Sequence, residues 1–160
     1  MKLKQIIVDT REKTKAIENL TQQIEEQGYE TIRTKLPVGD YRLTSNFFYA
    51  VDRKQNIQEL IGNVTHDHER FKAELDRAKH MGVFVTVLIE DSSAIKCIDD
   101  LRYWRNPRLK VSPRATTGET LIRILRTMEH DYDVEFLFCS KKETGYRIVE
   151  LLEKGVEEHG

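Results

Sequence analysis

Apolar positions along the chain return at two spacings, and the alternation between them outlines the fold. Residues 3–9 form an apolar run that closes on Asp9, the pattern of a buried strand with an acid at its carboxyl end. Ile17, Leu20 and Ile24 then recur at helical spacing, with Thr14 placed to cap the helix and Gly28 to stop it. Residues 29–35 alternate in the manner of a strand, and Leu36-Pro37-Val38-Gly39-Asp40 reads as a turn. Short strands at 41–44 and 47–52, parted by a polar Thr-Ser-Asn tip, read as a hairpin. Helices are expected over 56–63 and over 67–80, the second with Asp67 at its N-cap and Phe71, Leu75 and Ala78 on one face. Val83 to Ile89 is the most apolar run and is expected to be the central strand. A polar, Arg-rich connection spans 91–115, and helices near 117–130 and 142–154 flank a strand at 134–138. Strands alternating with helices predict an α/β fold: a central, mostly parallel sheet with an antiparallel motif-bearing hairpin and helices on both faces.

Length and composition narrow this picture without changing it. The 160 residues hold no repeat, low-complexity stretch or linker, so a single domain over 1–160 is expected. Charged residues make up 33 % of the chain, and no run approaches the ~18 apolar residues of a membrane span. The N-terminal apolar run is too short for a signal peptide, which leads to the cytoplasm, or to the nucleoid or nucleus. Cys97 and Cys139 lie far apart, without a second ligand at metal spacing, and read as reduced thiols, Cys139 in the core. A formal net charge of −1 offers no global argument for a nucleic-acid partner, so any such charge must be local.

The residues that carry chemistry lie in the first third of the chain. Asp9-Thr10-Arg11-Glu12 closes the first strand, Gly39-Asp40-Tyr41 opens the hairpin, and Asp52-Arg53-Lys54 ends it. Asp52 and Lys54, one residue apart on a strand, face the same side because the side-chain period is two. Asp40, at the start of the same hairpin, can fold back beside them. Two acids and a lysine on rigid elements are what metal-assisted phosphodiester hydrolysis requires. The acids hold Mg²⁺ or Mn²⁺, and the lysine orients the attacking water or offsets developing charge. Singly, each piece reads as a turn or a solvated corner. Together, at strand ends where α/β sheets place their sites, they favour chemistry.

Val8-Asp9-Thr10-Arg11-Glu12, Val38-Gly39-Asp40-Tyr41 and Val51-Asp52-Arg53-Lys54 resemble the V-D-x-R-E, V-G-D-Y and E-R-K motifs of the XPF-type nuclease domain family, within the PD-(D/E)XK restriction-endonuclease-like group. The likeness continues through Glu59-Leu60-Ile61-Gly62-Asn63, Arg70-Phe71 and the apolar strand at 83–89. It implies a metal-dependent DNA endonuclease acting on branched, flapped or forked DNA as a homodimer or as a heterodimer with a related subunit. It also implies Asp9, Asp40 and Asp52 as metal ligands with Glu12 in support, and Lys54 as the catalytic lysine. Arg11 and Arg53 are implied to sit behind these or to contact phosphate. The chain departs from the pattern at two places. Asp52 stands for the usual Glu, and Gln58 stands where the family often has an acid six residues later, with Glu59 beside it. The tandem helix-hairpin-helix module that usually follows is not expected here.

Residues 102–114 combine Arg102, Arg105, Arg108, Lys110 and Arg114 with Tyr103 and Trp104 and contain no acid. Such a loop suits phosphate contact and base stacking, or, alternatively, aromatic anchors with solvated arginines. Arg70 is placed to reach the same DNA. His66-Asp67-His68 faces one side only if extended, so a structural zinc is not expected. The competing function is a catalytically weak DNA-binding or dimerisation module of the same fold, which typically lacks the acids or the lysine. A receiver-like small-molecule domain fits less well, because Lys54 follows a hairpin.

Overall fold

The structure, a computed structural model, describes residues 4–160. Six strands form one sheet: β1 (Gln5–Val8), β2 (Glu30–Arg33), β3 (Tyr41–Leu43), β4 (Tyr49–Lys54), β5 (Phe84–Glu90) and β6 (Val134–Cys139). Their order is β2-β1-β3-β4-β5-β6. Pairing is parallel for β1 with β2, β4 with β5 and β5 with β6, and antiparallel where β3 meets β1 and β4. The sheet is therefore mostly parallel with one reversed strand, as the sequence pattern predicts.

Five helices cover it: α1 (Glu18–Glu26), α2 (Ile57–Val64), α3 (His68–Met81), α4 (Gly118–Asp131) and α5 (Thr144–His159). Period-two alternation sorts the strands' side chains between two cores. Val85, Val87 and Ile89 of β5 join Leu60, Phe71, Leu75, Leu121 and Leu125 on the face of α2, α3 and α4. Leu88, Val51, Tyr41 and Val8 join Leu20, Ile24, Ile148 and Leu152 on the face of α1 and α5. None of the described helices is long and apolar enough to cross a membrane.

Some expectations shift. The apolar run from Val83 is the interior strand β5, one in from the edge; β3 and β4 hold the centre. Its apolarity reflects helices on both faces and a neighbour on both sides, conditions an off-centre strand meets equally. Thr14 caps nothing: it begins a 3₁₀ turn, Thr14–Ile17, and α1 starts at Glu18. Asp67 sits at the N-cap of α3 without a side-chain bond there. The predicted first strand is observed over Gln5–Val8, and its residue 3 lies outside the described residues. Two 3₁₀ turns, Ile98–Tyr103 and Pro107–Lys110, interrupt the Arg-rich connection.

The reversed strand is what assembles a site. Because β3 runs against its neighbours, its beginning lies at the same end of the sheet as the ends of β1, β4 and β5. Asp9, Asp40, Asp52–Lys54 and Glu90 thus gather there from four strands. Gly39 lets the chain enter β3, with φ +73° and a hypothetical Cβ only 2.9 Å from that of Ala50. Gly39→Ala is expected to destabilise the protein by about 1–3 kcal/mol, through the left-handed backbone and this close approach. An unchanged denaturant midpoint would show that the turn relaxes freely.

Candidate active site

Asp40 is locked into the sheet through its backbone and its side chain. Its N–H donates to the Val51 carbonyl (2.9 Å), and its own carbonyl accepts from the Asp9 N–H (2.8 Å). Its Oδ2 accepts the backbone N–H of Arg53 at 2.9 Å, which turns the carboxylate toward the end of β4. Asp52 and Lys54 leave β4 on the same side, as their spacing predicts, with Nζ 3.4 Å from Asp52 Oδ2. The ammonium also stands 5.3 Å from the centre of the Phe71 ring. A cleft of about 210 Å³ opens here, lined by Arg11, Glu12, Asp40, Asp52, Arg53, Lys54, Gln55, Glu59 and Glu74.

The electrostatics of this cleft are strained toward negative charge. Burial, then the nearby Asp52 charge, push the Asp40 carboxyl well above the ordinary carboxylate range. Burial and Asp52 push Glu74 up in the same way, with the Gly39 N–H and Lys54 partly opposing. Burial disfavours the Lys54 ammonium, but Asp52, Asp40, Glu59 and Glu74 together outweigh it and hold the ammonium's pKa above its usual value. Five carboxylates (Glu12, Asp40, Asp52, Glu59, Glu74) face three cations (Arg11, Arg53, Lys54) around the cleft.

Beneath it lies a buried polar layer. Arg53, only 6 % exposed, donates from Nε and Nη2 to the two oxygens of Glu12, at 2.7 and 2.9 Å, and from Nη1 to Glu90. The Tyr41 hydroxyl donates to Glu12 (2.8 Å) and the Thr144 hydroxyl to Glu90 (2.8 Å). The guanidinium of Arg53 is thus occupied by two carboxylates and is not presented to a phosphate. Glu12 serves as its counter-charge.

Asp9 does not reach the cleft. Fully buried, it accepts the Leu36 N–H at Oδ1 (2.7 Å) and the Arg11 N–H and Nε at Oδ2. Burial raises its pKa, yet these donors more than offset that and hold it below the ordinary range. With three donors on two oxygens it organises the loop after β1, and the structure does not present it as a ligand beside Asp40 and Asp52. Arg11, its side chain 59 % exposed, stays at the rim of the cleft with Nη2 near the Gly39 carbonyl.

The basic loop borders a second depression. Arg108 and Arg114 line a groove of about 430 Å³ with Gln58, Thr65, His66 and Asn106. Asn106 is buried and fastens the loop to α2: its Oδ1 accepts Gln58 Nε2 (2.8 Å) and the Arg108 N–H, and its Nδ2 donates to the Thr116 carbonyl. Arg70, Arg102, Arg105 and Lys110 are exposed. Trp104 packs on the core beside α4, whereas Tyr103 is 82 % exposed. The aromatic pair therefore divides into an anchor and a free ring.

Three residues at or near the site were not singled out from sequence: Glu74, Glu90 and Asn106. Glu90 carried the same signal as Asp9, an acid closing an apolar strand. Glu74 stands three residues from Phe71, at the border of the buried stripe of α3. Asn106, in a polar loop, carried no readable signal.

The family model described as the ERCC4 domain matches residues 8–151. Solved structures of XPF from Aeropyrum pernix superpose with TM-scores of 0.62 and, for a complex with DNA, 0.64. Sequence identities are 19 % and 18 %, and 94 % and 97 % of this chain is covered. The chain spans 61 % and 66 % of the length of those two chains, and at these identities the likeness establishes the fold. No curated protein matches the sequence.

Proposed function

The chain belongs to the ERCC4 domain family, and on that footing we propose that it is a metal-dependent DNA endonuclease acting on branched, flapped or forked DNA. The observation that carries the reading is the placement of Asp40, Asp52 and Lys54 in one net-negative cleft at the ends of the central strands. A cleft with more carboxylates than cations repels a phosphodiester unless a cation bridges the two. Among the described residues no three His, Cys, Asp or Glu side chains form a ready-made metal cage. Mg²⁺ does not require one, since it is commonly held by one or two carboxylates, water and substrate phosphate. Asp40 and Asp52, crowded and mutually repelling, fit that donor set and would hold it. When bound, Mg²⁺ or Mn²⁺ supplies charge neutralisation at the phosphate and a more acidic water.

The remaining roles belong to side chains. Lys54 keeps its proton beside Asp52 and places a fixed positive charge in a half-enclosed wall, where it stabilises charge building on the phosphate. Arg53, Glu12 and Glu90 fix the end of β4 so that Asp52 and Lys54 need no reorganisation on binding. Arg11 offers a cation at the rim. Helix α2 is the wall shared by cleft and groove, Glu59 lining one and Gln58 the other. A bound strand would cross α2 to run from the scissile phosphate to Arg108 and Arg114. The acids of the three motifs, with Asp52 standing for Glu, and the lysine are present despite Gln58, which favours an enzyme over a binding module.

The test is incubation of labelled duplex, single-stranded, flapped, forked and four-way-junction DNA with Mg²⁺, Mn²⁺ or EDTA. Cutting of the branched substrates with metal, and none in EDTA, is expected. Binding without cutting of any substrate would assign a DNA-binding module instead. Replacing Arg105 and Arg108 together with Ala is expected to weaken binding and lower the slope of log affinity against log salt by up to about 2. An unaltered slope would place the DNA elsewhere.

A further inference from the structure

We propose that Glu74 is a positioning residue of the cleft that strengthens divalent-cation binding, in place of the acid absent at position 58. The inference rests on the nuclease reading above. The side chain of Gln58 lines the neighbouring groove and donates to Asn106, so nothing at that position can serve the cleft. Glu59 does line the cleft, but it is exposed and its Oε2 accepts the Gln55 N–H at 2.8 Å. Glu74 enters from a different helix, α3. Its Oε1 accepts the N–H of Gly39, the residue before Asp40, at 3.2 Å, and its side chain lines the same cleft as Asp52 and Lys54. Oε2 accepts no protein hydrogen bond among the described residues. One carboxylate therefore spans both halves of the site, the Gly39–Asp40 turn and the end of β4.

A purely structural role does not account for the charge. Glutamine, of the same shape, would also accept the Gly39 N–H without setting a carboxylate beside Asp52 in a half-buried cleft. An acid that raises the repulsion in the apo protein gains its use when a divalent cation, or the water around one, occupies the cleft.

Mn²⁺ affinity, measured by electron paramagnetic resonance of the free ion, and apo melting temperature separate these roles. Glu74→Gln is expected to weaken Mn²⁺ binding by about 10-fold or more, with the metal-free protein melting at or above the wild-type temperature. Unchanged Mn²⁺ affinity in Glu74→Gln, where Asp52→Asn does weaken it, would overturn the role of Glu74 and leave the nuclease reading standing. A lower apo melting temperature would mark Glu74 as a structural residue and also overturn it. Affinity unchanged in both variants would remove the metal site itself, and the proposal with it.

Discussion

Asp52→Asn is expected to lower the cleavage rate by roughly 10³-fold while leaving the protein folded and able to bind DNA. Asp52 is 6 % exposed and shares its surroundings with Asp40 and Glu74, whose carboxyls it pushes up. Exchanging it for an amide of nearly the same shape removes one negative charge from an overcrowded cleft. Fold stability should stay level or rise, and Lys54 keeps Asp40, Glu59 and Glu74 as its remaining opposite charges. DNA affinity in EDTA should also hold or increase, because the cleft repels phosphate less. Single-turnover cleavage, melting temperature and binding measured on one preparation decide the matter. Wild-type cleavage would remove Asp52 from the chemistry, and a parallel loss of melting temperature would make the defect one of folding.

Arg53→Met should act in the opposite sense, destabilising the protein by about 3–5 kcal/mol at pH near 7. The guanidinium sits between Glu12 and Glu90, and all three are buried. Taking it away strands two buried carboxylates with only Tyr41 and Thr144 as donors. Urea titration of both proteins tests this, and a deficit below about 1 kcal/mol would mean that the buried ion pairs contribute little.

Much of this architecture was legible in the sequence because its signals are local. Period-two and period-3.6 patterns located the strands and helices within a few residues, and the Asp-x-Lys spacing put two side chains on one face. The resemblance carried by three short motifs agrees with the family to which the chain belongs. What stayed hidden depends on partners distant in sequence. The resemblance implied Asp9 as a ligand, and only the Leu36 N–H, brought in by the turn before β3, shows that both its oxygens already accept hydrogen bonds. Arg53 was open to a place behind the ligands or to contact with phosphate until β5 delivered Glu90 and decided for the first. Glu74 was indistinguishable from its solvated neighbours on α3 because nothing in the helix reveals that Gly39 lies against it. The central place of β3 and β4, rather than of the most apolar run, follows from strand order, which periodicity does not encode.

The hydrogen bonds that define the cleft also set the order in which its parts would fail. The amide protons of Asp9, Asp40 and Arg53 are all donated within the cluster itself, to Asp40, Val51 and Asp40 respectively. Such protons exchange with solvent only when the sheet opens, so the chemical residues belong to the last-melting part of the molecule. The Arg108 loop, by contrast, is held by the Trp104 anchor, one asparagine side chain and two short turns. Mild denaturant or warmth should therefore loosen the grip on DNA first. Lost activity in that range would be recovered by raising the DNA concentration, and beyond the main transition it would not.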